Sequence, residues 1–368
     1  MRLFHFQYLL VSLLLIGFLT LGCSGERAHQ HDRETRIIED MLGREVAIPA
    51  SIEKVVCLRA GALRMLVYLD ATEYAAAIEE PERTADRPYL MAHPELRELP
   101  SAGPLMGGDL ELLVAAGPDV IFMTFTTAGQ ADQLQSRTGI PVVALEYGDF
   151  SHRRDLFFES LKLMASVLGK EQRAGQLIAY VEDSLEDLNH RTSNSTDGDQ
   201  PRVYIGGVSY SGTQGISSTE PFYPPFRFAN AKNVAEDISN RMVNPIQGTF
   251  VDKEQIIQWN PDVMFVDLAS LSITRSEIST GSPLNSGISA LSNGQVYGLL
   301  PYNNYAANYE NILVNAWYVG SVLYPGAFPD VDLPGKVDEV FEAFLGRSVY
   351  EDLQKVWGEL RRLDRELL

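Results

Sequence analysis

The stretch PYNNYAANY, Pro301 to Tyr309, gathers three tyrosines and three asparagines at the start of a helical pattern. Tyr302 and Tyr305 can stack on a flat ligand, donate hydrogen bonds, or bind ferric iron as phenolates, because hard ferric iron prefers oxygen ligands. Asn303 adds an amide between them. The same residue types also suit capping and packing at a helix N-terminus. Arg59 follows the apolar run KVVCL. Its planar fork can hold an anionic chelate through paired hydrogen bonds, or it can pair with a carboxylate of its own domain. SYSGTQGISSTEPFYPPF, from Ser209, is long, aromatic and rich in Gly and Pro. It reads as a loop, and loops of that length inside compact domains are usually functional, so Tyr210, Phe222, Tyr223 and Phe226 are candidates for a cleft wall.

Other chemistries lack their residues. There is no Gly-x-Ser-x-Gly elbow and no phosphate loop. Cysteine occurs only at positions 23 and 57, so no cysteine-ligated cluster can form. The six histidines, at 5, 29, 31, 93, 152 and 190, include no pair at metal-ligand spacing within the body of the chain. These absences argue against an enzyme and against a binder of bare zinc or manganese. The net charge of -19 argues against nucleic acid, whose phosphates need a positive face.

The elements that must position the candidates alternate. A hairpin is expected from Arg36 to Ile48, turning at Leu42-Gly43-Arg44. Strands are expected at 54–58, 119–124, 141–145, 202–208, 262–267 and 295–299. Helices are expected at 60–69, 109–116, 128–136, 154–168, 170–189, 253–259, 307–324, 337–344 and 350–367. Strands alternating with helices predict parallel sheets with helical crossovers. Ligands in such sheets lie beyond the C-terminal strand ends. That rule nominates Arg59, Phe125, Thr126, Tyr147, Tyr210, Tyr302, Asn303 and Tyr305, with Tyr223 from the long segment.

One pattern occurs twice. LELLVAAGPDVIF from Leu110 and KEQIIQWNPDVMF from Lys253 align at an offset of 143. Asp109, Glu111, Pro118, Asp119, Val120 and Phe122 recur as Asp252, Glu254, Pro261, Asp262, Val263 and Phe265, six identities in fourteen positions. Each copy reads as a helix, a Pro-Asp stop and a buried strand. The chain therefore reads as two similar α/β lobes with a ligand cleft between them, an N-terminal lobe over 35–153 and a C-terminal lobe over 191–368. The helical region 154–190 joins them, its long second helix acting as a bridge.

The first 22 residues have the charge, length and apolar run of a secretory signal peptide. Gly22-Cys23-Ser24 resembles a bacterial lipobox, in which the cysteine is lipidated, although Leu19 stands one place early and Thr20 takes its position. Residues 23–34 then form a polar tether, and Cys23 would anchor the protein to a membrane. Cys57 reads as a buried strand residue.

TRIIEDMLGREVAIPASIEKVVCL, the paired helices ending in Pro-Asp, and GKEQRAGQLI resemble the substrate-binding proteins of ABC importers for ferric siderophores, haem and cobalamin. The resemblance spans Thr35 to Leu368. It implies a monomeric, extracytoplasmic lipoprotein without a cofactor, which captures a ferric siderophore or similar ferric complex and delivers it to a membrane permease with its ATPase. Haem or a corrinoid is the alternative cargo; a surface interaction protein without transport is the alternative class. The resemblance also implies that Glu111 and Glu254, one per lobe, dock on arginines of the permease.

Overall fold

The computed structural model describes residues 34–105, 107–193, 200–210, 212–238 and 248–364. The expected signal peptide, Cys23, nearly all of the tether and most of the polar linker after residue 193 lie outside the described residues.

The chain opens with an antiparallel hairpin, β1 (Thr35–Glu39) and β2 (Glu45–Pro49). Asp40 sets its turn. Oδ1 accepts from the backbone amides of Leu42 and Arg44, both at 3.0 Å, while Gly43 takes φ 73°. The other oxygen accepts from the amide of Ala144 at 3.1 Å, so the turn is fixed to the first sheet.

In the N-terminal lobe follow β3 (Val55–Leu58), α1 (Ala62–Tyr68), β4 (Ala75–Ala77), α2 (Leu110–Ala116), β5 (Val120–Met123), α3 (Ala128–Thr138) and β6 (Val142–Ala144). The sheet order is β4-β3-β5-β6, all parallel. Every residue of β3 and β5 is buried, as apolar runs covered on both faces must be. Two long helices come next, α4 (Arg154–Leu168) and α5 (Glu171–Thr192). At 1.5 Å per residue, the 22 residues of α5 span about 33 Å, roughly the width of a domain.

The C-terminal lobe carries β7 (Arg202–Gly206), β8 (Ser218–Thr219), β9 (Lys232–Asn233), β10 (Thr249–Phe250), α6 (Lys253–Trp259), β11 (Val263–Asp267) and β12 (Val296–Leu299). Its sheet order is β12-β11-β7-β9, again all parallel. Read from the other edge, this is the order of the first sheet, and the two copies of the repeated sequence occupy matching places, α2–β5 and α6–β11.

The shared Pro-Asp has a physical reason. Asp119 Oδ2 accepts from the amides of Glu53 and Lys54 at 2.8 and 3.0 Å, and its own amide donates to the Lys54 carbonyl at 2.8 Å. Asp262 does the same to Arg202, receiving its amide at 2.9 Å and donating to its carbonyl at 2.8 Å. Each aspartate thus locks the start of its strand to the start of the neighbouring one. Residues in αL conformation, Gly117 and Asn260, end the two helices before it.

The chain finishes with α7 (Tyr309–Leu323), α8 (Leu333–Leu345) and α9 (Tyr350–Trp357). Helix α8 returns to the N-terminal lobe, where the Phe344 ring meets Tyr68 edge-on at 5.0 Å. Two expectations need correction. The last helix stops at Trp357, because Gly358 takes φ 97° and the following residues pair with Tyr297 instead. The segment from Ser209 is not an open loop. It contains β8, paired with β10, and a short helix at Pro224–Phe228 that buries Phe226.

Replacing either clamp should weaken the fold. Asp119→Ala leaves two strand-end amides without their acceptor and is expected to lower unfolding free energy by about 1–3 kcal/mol. Asp262→Ala, which frees one amide, should cost less. Urea unfolding midpoints would report both; a wild-type midpoint for Asp119→Ala would rule out the clamp.

Candidate functional site

The C-terminal ends of the two sheets and the segment after β12 bring most of the nominated residues together. Backbone strain marks the same place. Among the described residues seven non-glycine positions have positive φ, and four of them, Arg59, Phe125, Tyr305 and Ala306, lie here at 70°, 46°, 56° and 64°. Such conformations persist only where surrounding contacts enforce them, and they concentrate at functional sites.

Arg59 follows β3. Its amide donates to Glu79 Oε2 at 2.9 Å, and its guanidinium donates to the Phe125 carbonyl and to Gln130 Oε1 at 3.3 Å. Its buried Nε has no protein partner. Beside it lies a groove of about 320 Å³ that also exposes Gly107, Gly108, Gln130 and Arg137. Phe125 is 54% exposed, with its ring 6.0 Å from that of Tyr147. Thr126 Oγ1 reaches Gln130 Oε1 at 3.4 Å, beside the Thr127–Gln130 capping box that starts α3.

The tyrosines turn out to be bound to protein groups. Tyr147 is buried, lies flat on Tyr309 at 5.0 Å, donates to the Ala307 carbonyl at 2.6 Å and accepts from Arg64 at 2.6 Å. Gly61 makes room for it, since a Cβ there would sit 2.2 Å from the ring. Tyr210 packs on Gly248 in the same way and donates to the Thr219 carbonyl at 3.4 Å. Tyr223 is buried, with its ring 5.7 Å from that of Tyr302. Tyr302 is buried and donates to Glu220, while Tyr305 donates to Glu79 at 2.5 Å beneath the Arg87 guanidinium, 4.4 Å from its ring. Asn303 is partly exposed between them. Both phenols are held above their ordinary range, by burial first and then by their carboxylate partners.

Burial also raises the acids. The Glu79 carboxyl shifts upward, Glu220 reaches about 7 and Asp267 about 6. The Cys57 thiol is buried and pushed up for the same reason. Among the described residues no group of three or more His, Cys, Asp or Glu side chains could hold a metal ion.

Sequence reasoning missed the groups that hold this segment. Arg64 is fully buried and donates to the carbonyls of Asn304, Tyr305 and Ala307 at 3.0, 3.1 and 2.9 Å. Asn308, Asn311 and Asn315 donate to the carbonyls of Tyr302, Pro301 and Leu300 at 2.9, 2.8 and 2.8 Å. A signal was present: a lone arginine in AGALRMLVYL, and asparagines at i, i+3 and i+7 along an apolar helix. Glu111 and Glu254 stand apart from the cleft residues, both exposed in the first turns of α2 and α6.

The raised Glu220 fixes a pH dependence. Its carboxyl moves from 4.5 to about 7 on folding, so the native state holds a proton there that the unfolded chain releases. This contribution is present below pH 4.5 and is lost as the pH rises to about 7. Glu220→Gln is expected to flatten the melting temperature across that window. A wild-type-to-variant difference that stays constant from pH 4.5 to 7 would contradict the assignment.

Comparison with known proteins fits this architecture. The molybdate-binding protein MolA of Haemophilus influenzae is 27% identical over 338 residues, covering 86% of this chain and 93% of its own length. Its structure with molybdate bound superimposes with a TM-score of 0.64 at 25% identity, covering 85% of this chain and 98% of that one. An ABC transporter solute-binding protein of Sulfurospirillum deleyianum gives a TM-score of 0.65 at 20% identity, over 88% and 98% of the two chains. The petrobactin-binding protein YclQ of Bacillus subtilis gives 0.55 at 15% identity, over 84% and 99%. The family model described as periplasmic binding protein matches residues 55–302, and with two parallel-sheet lobes about a cleft, the chain belongs to that family.

Proposed function

We propose that this substrate-binding protein of an ABC importer carries a small tetrahedral oxyanion of the molybdate class. The observation that carries the reading is the match to MolA over nearly the full length of both chains, together with the molybdate in that protein's structure. The chemistry of the cleft supports it. A dianion needs convergent donors in place of its hydration shell. In a chain of net charge -19, Arg59 brings a guanidinium with an unpartnered Nε to the strand ends. Arg227 of the C-terminal lobe also contacts His152 of the N-terminal lobe.

The ferric-complex expectation draws on the same fold, but for the petrobactin-binding relative the likeness, at 15% identity, is one of fold alone. A ferric phenolate at Tyr302 and Tyr305 would also have to break both phenol–carboxylate contacts. The protein acts outside the cytoplasm and hands its cargo to a permease. Anchoring through Cys23 and docking through Glu111 and Glu254 are parts of the proposal. Two exposed carboxylates, one per lobe, can report lobe spacing to basic partners at little desolvation cost.

Calorimetric titration with molybdate, tungstate, sulfate, ferric hydroxamate, ferric catecholate, ferric citrate, haem and cobalamin tests the cargo. Submicromolar, saturable binding of molybdate or tungstate alone is expected. Binding of a ferric complex with no response to either oxyanion would overturn the oxyanion reading. Arg59→Met should weaken oxyanion binding by about 10- to 100-fold, the value of a hydrogen bond to a charged group. Glu111→Ala with Glu254→Ala should lower uptake by cells while leaving affinity unchanged; an equal fall in affinity would move these residues from docking to binding.

A further inference from the structure

The carbonyls after β12 can be followed one by one. Those of Leu300, Pro301 and Tyr302 receive the amides of Asn315, Asn311 and Asn308, so the N-cap and first two turns of α7 grip successive peptide groups. Those of Asn304, Tyr305 and Ala307 receive the single guanidinium of Arg64, from α1 of the N-terminal lobe. The Asn304 carbonyl also has the Asn308 amide at 3.5 Å, so donors from the two lobes meet there. The side chains divide in the same way. Tyr302 is held by Glu220, which follows β8 in the C-terminal lobe, and Tyr305 by Glu79, which follows β4 in the N-terminal lobe. A segment that begins in one sheet is thus tied by backbone and side chain to both lobes within four residues.

Such a tie resists separation of the lobes. Opening the cleft at this point would expose the buried Arg64 or strip its hydrogen bonds from the carbonyls of Asn304, Tyr305 and Ala307, both costly in a water-poor interior. The neighbouring strain at Tyr305 and Ala306 is maintained by these contacts.

We propose that the Tyr302–Ala307 segment is a brace that sets the spacing of the two lobes, and that Arg64 is the residue that positions it. A fixed spacing is the simplest way for a two-lobed protein to select a small cargo over a bulky chelate. This consequence for selection rests on the oxyanion reading; the brace itself does not.

Inter-lobe distances by electron spin resonance test the brace without cargo. Labels would be placed through Ser136→Cys and Gln258→Cys, exposed positions on α3 and α6, in the full chain carrying Cys23→Ser. Cys57 is buried and does not compete. The parent should give one narrow distance distribution. Arg64→Met should broaden and lengthen it and weaken molybdate binding at least 10-fold, and Arg64→Lys, which keeps the charge but loses the fork, should fall between. Tyr305→Phe releases only the Glu79 anchor and carries the test should Arg64→Met fail to fold. Distributions that superimpose on the parent in the folded variants would overturn the brace. If the parent binds no molybdate, the oxyanion reading falls, and the distance measurement still decides the brace.

Discussion

The guanidinium of Arg64 is removed from water, and a buried cation is tolerable only when its hydrogens find acceptors and a compensating charge lies near. Here the acceptors for its two terminal nitrogens are three peptide carbonyls and the Tyr147 hydroxyl, with Nε left without a protein partner, and the nearby carboxylate is Glu310, itself buried and hydrogen-bonded to Tyr68. Much of the cleft follows from this requirement. The carbonyls must converge, so the segment after β12 bends back through positive-φ residues; Tyr147 must reach between lobes, so Gly61 can bear no side chain. The aromatic stack of Tyr147, Tyr309 and Phe150 then walls off the cation from solvent, with ring separations of 5.0 and 4.8 Å.

Around this centre the two lobes are built by one plan. An αL residue ends a helix, proline prevents its continuation, and an aspartate joins the incoming strand to its neighbour. The aspartate acts on the N-terminal ends of the strands; the opposite ends bear Arg59, Phe125 and Tyr210.

The cleft is not a cationic basket in an acidic protein. Glu79 and Glu220 sit inside it, raised by burial and each joined to a phenol. Such carboxylates serve as acceptors that orient tyrosines. Arg59 brings a guanidinium to the same strand ends, with its backbone amide fixed by one of those same carboxylates.

The two-lobed architecture was legible in the sequence because it depends on local chemistry that repeats. Pro-Asp after an apolar helix, four-residue apolar runs and a 22-residue helix each announce themselves within a short window. The residues at the strand ends were legible by the same logic, since topology alone carries Arg59, Tyr147, Tyr302 and Tyr305 to one side. What their side chains do there was not. Tyr302 and Tyr305 read equally as ligand groups and as packing, and only the fold set Glu220 and Glu79 opposite them, 82 and 226 positions away in the chain. Arg64 finds its carbonyl partners about 240 residues downstream. A sequence specifies such a partnership without displaying it, because hydrogen bonds are short and directional and distant segments meet at that range only once the lobes have packed.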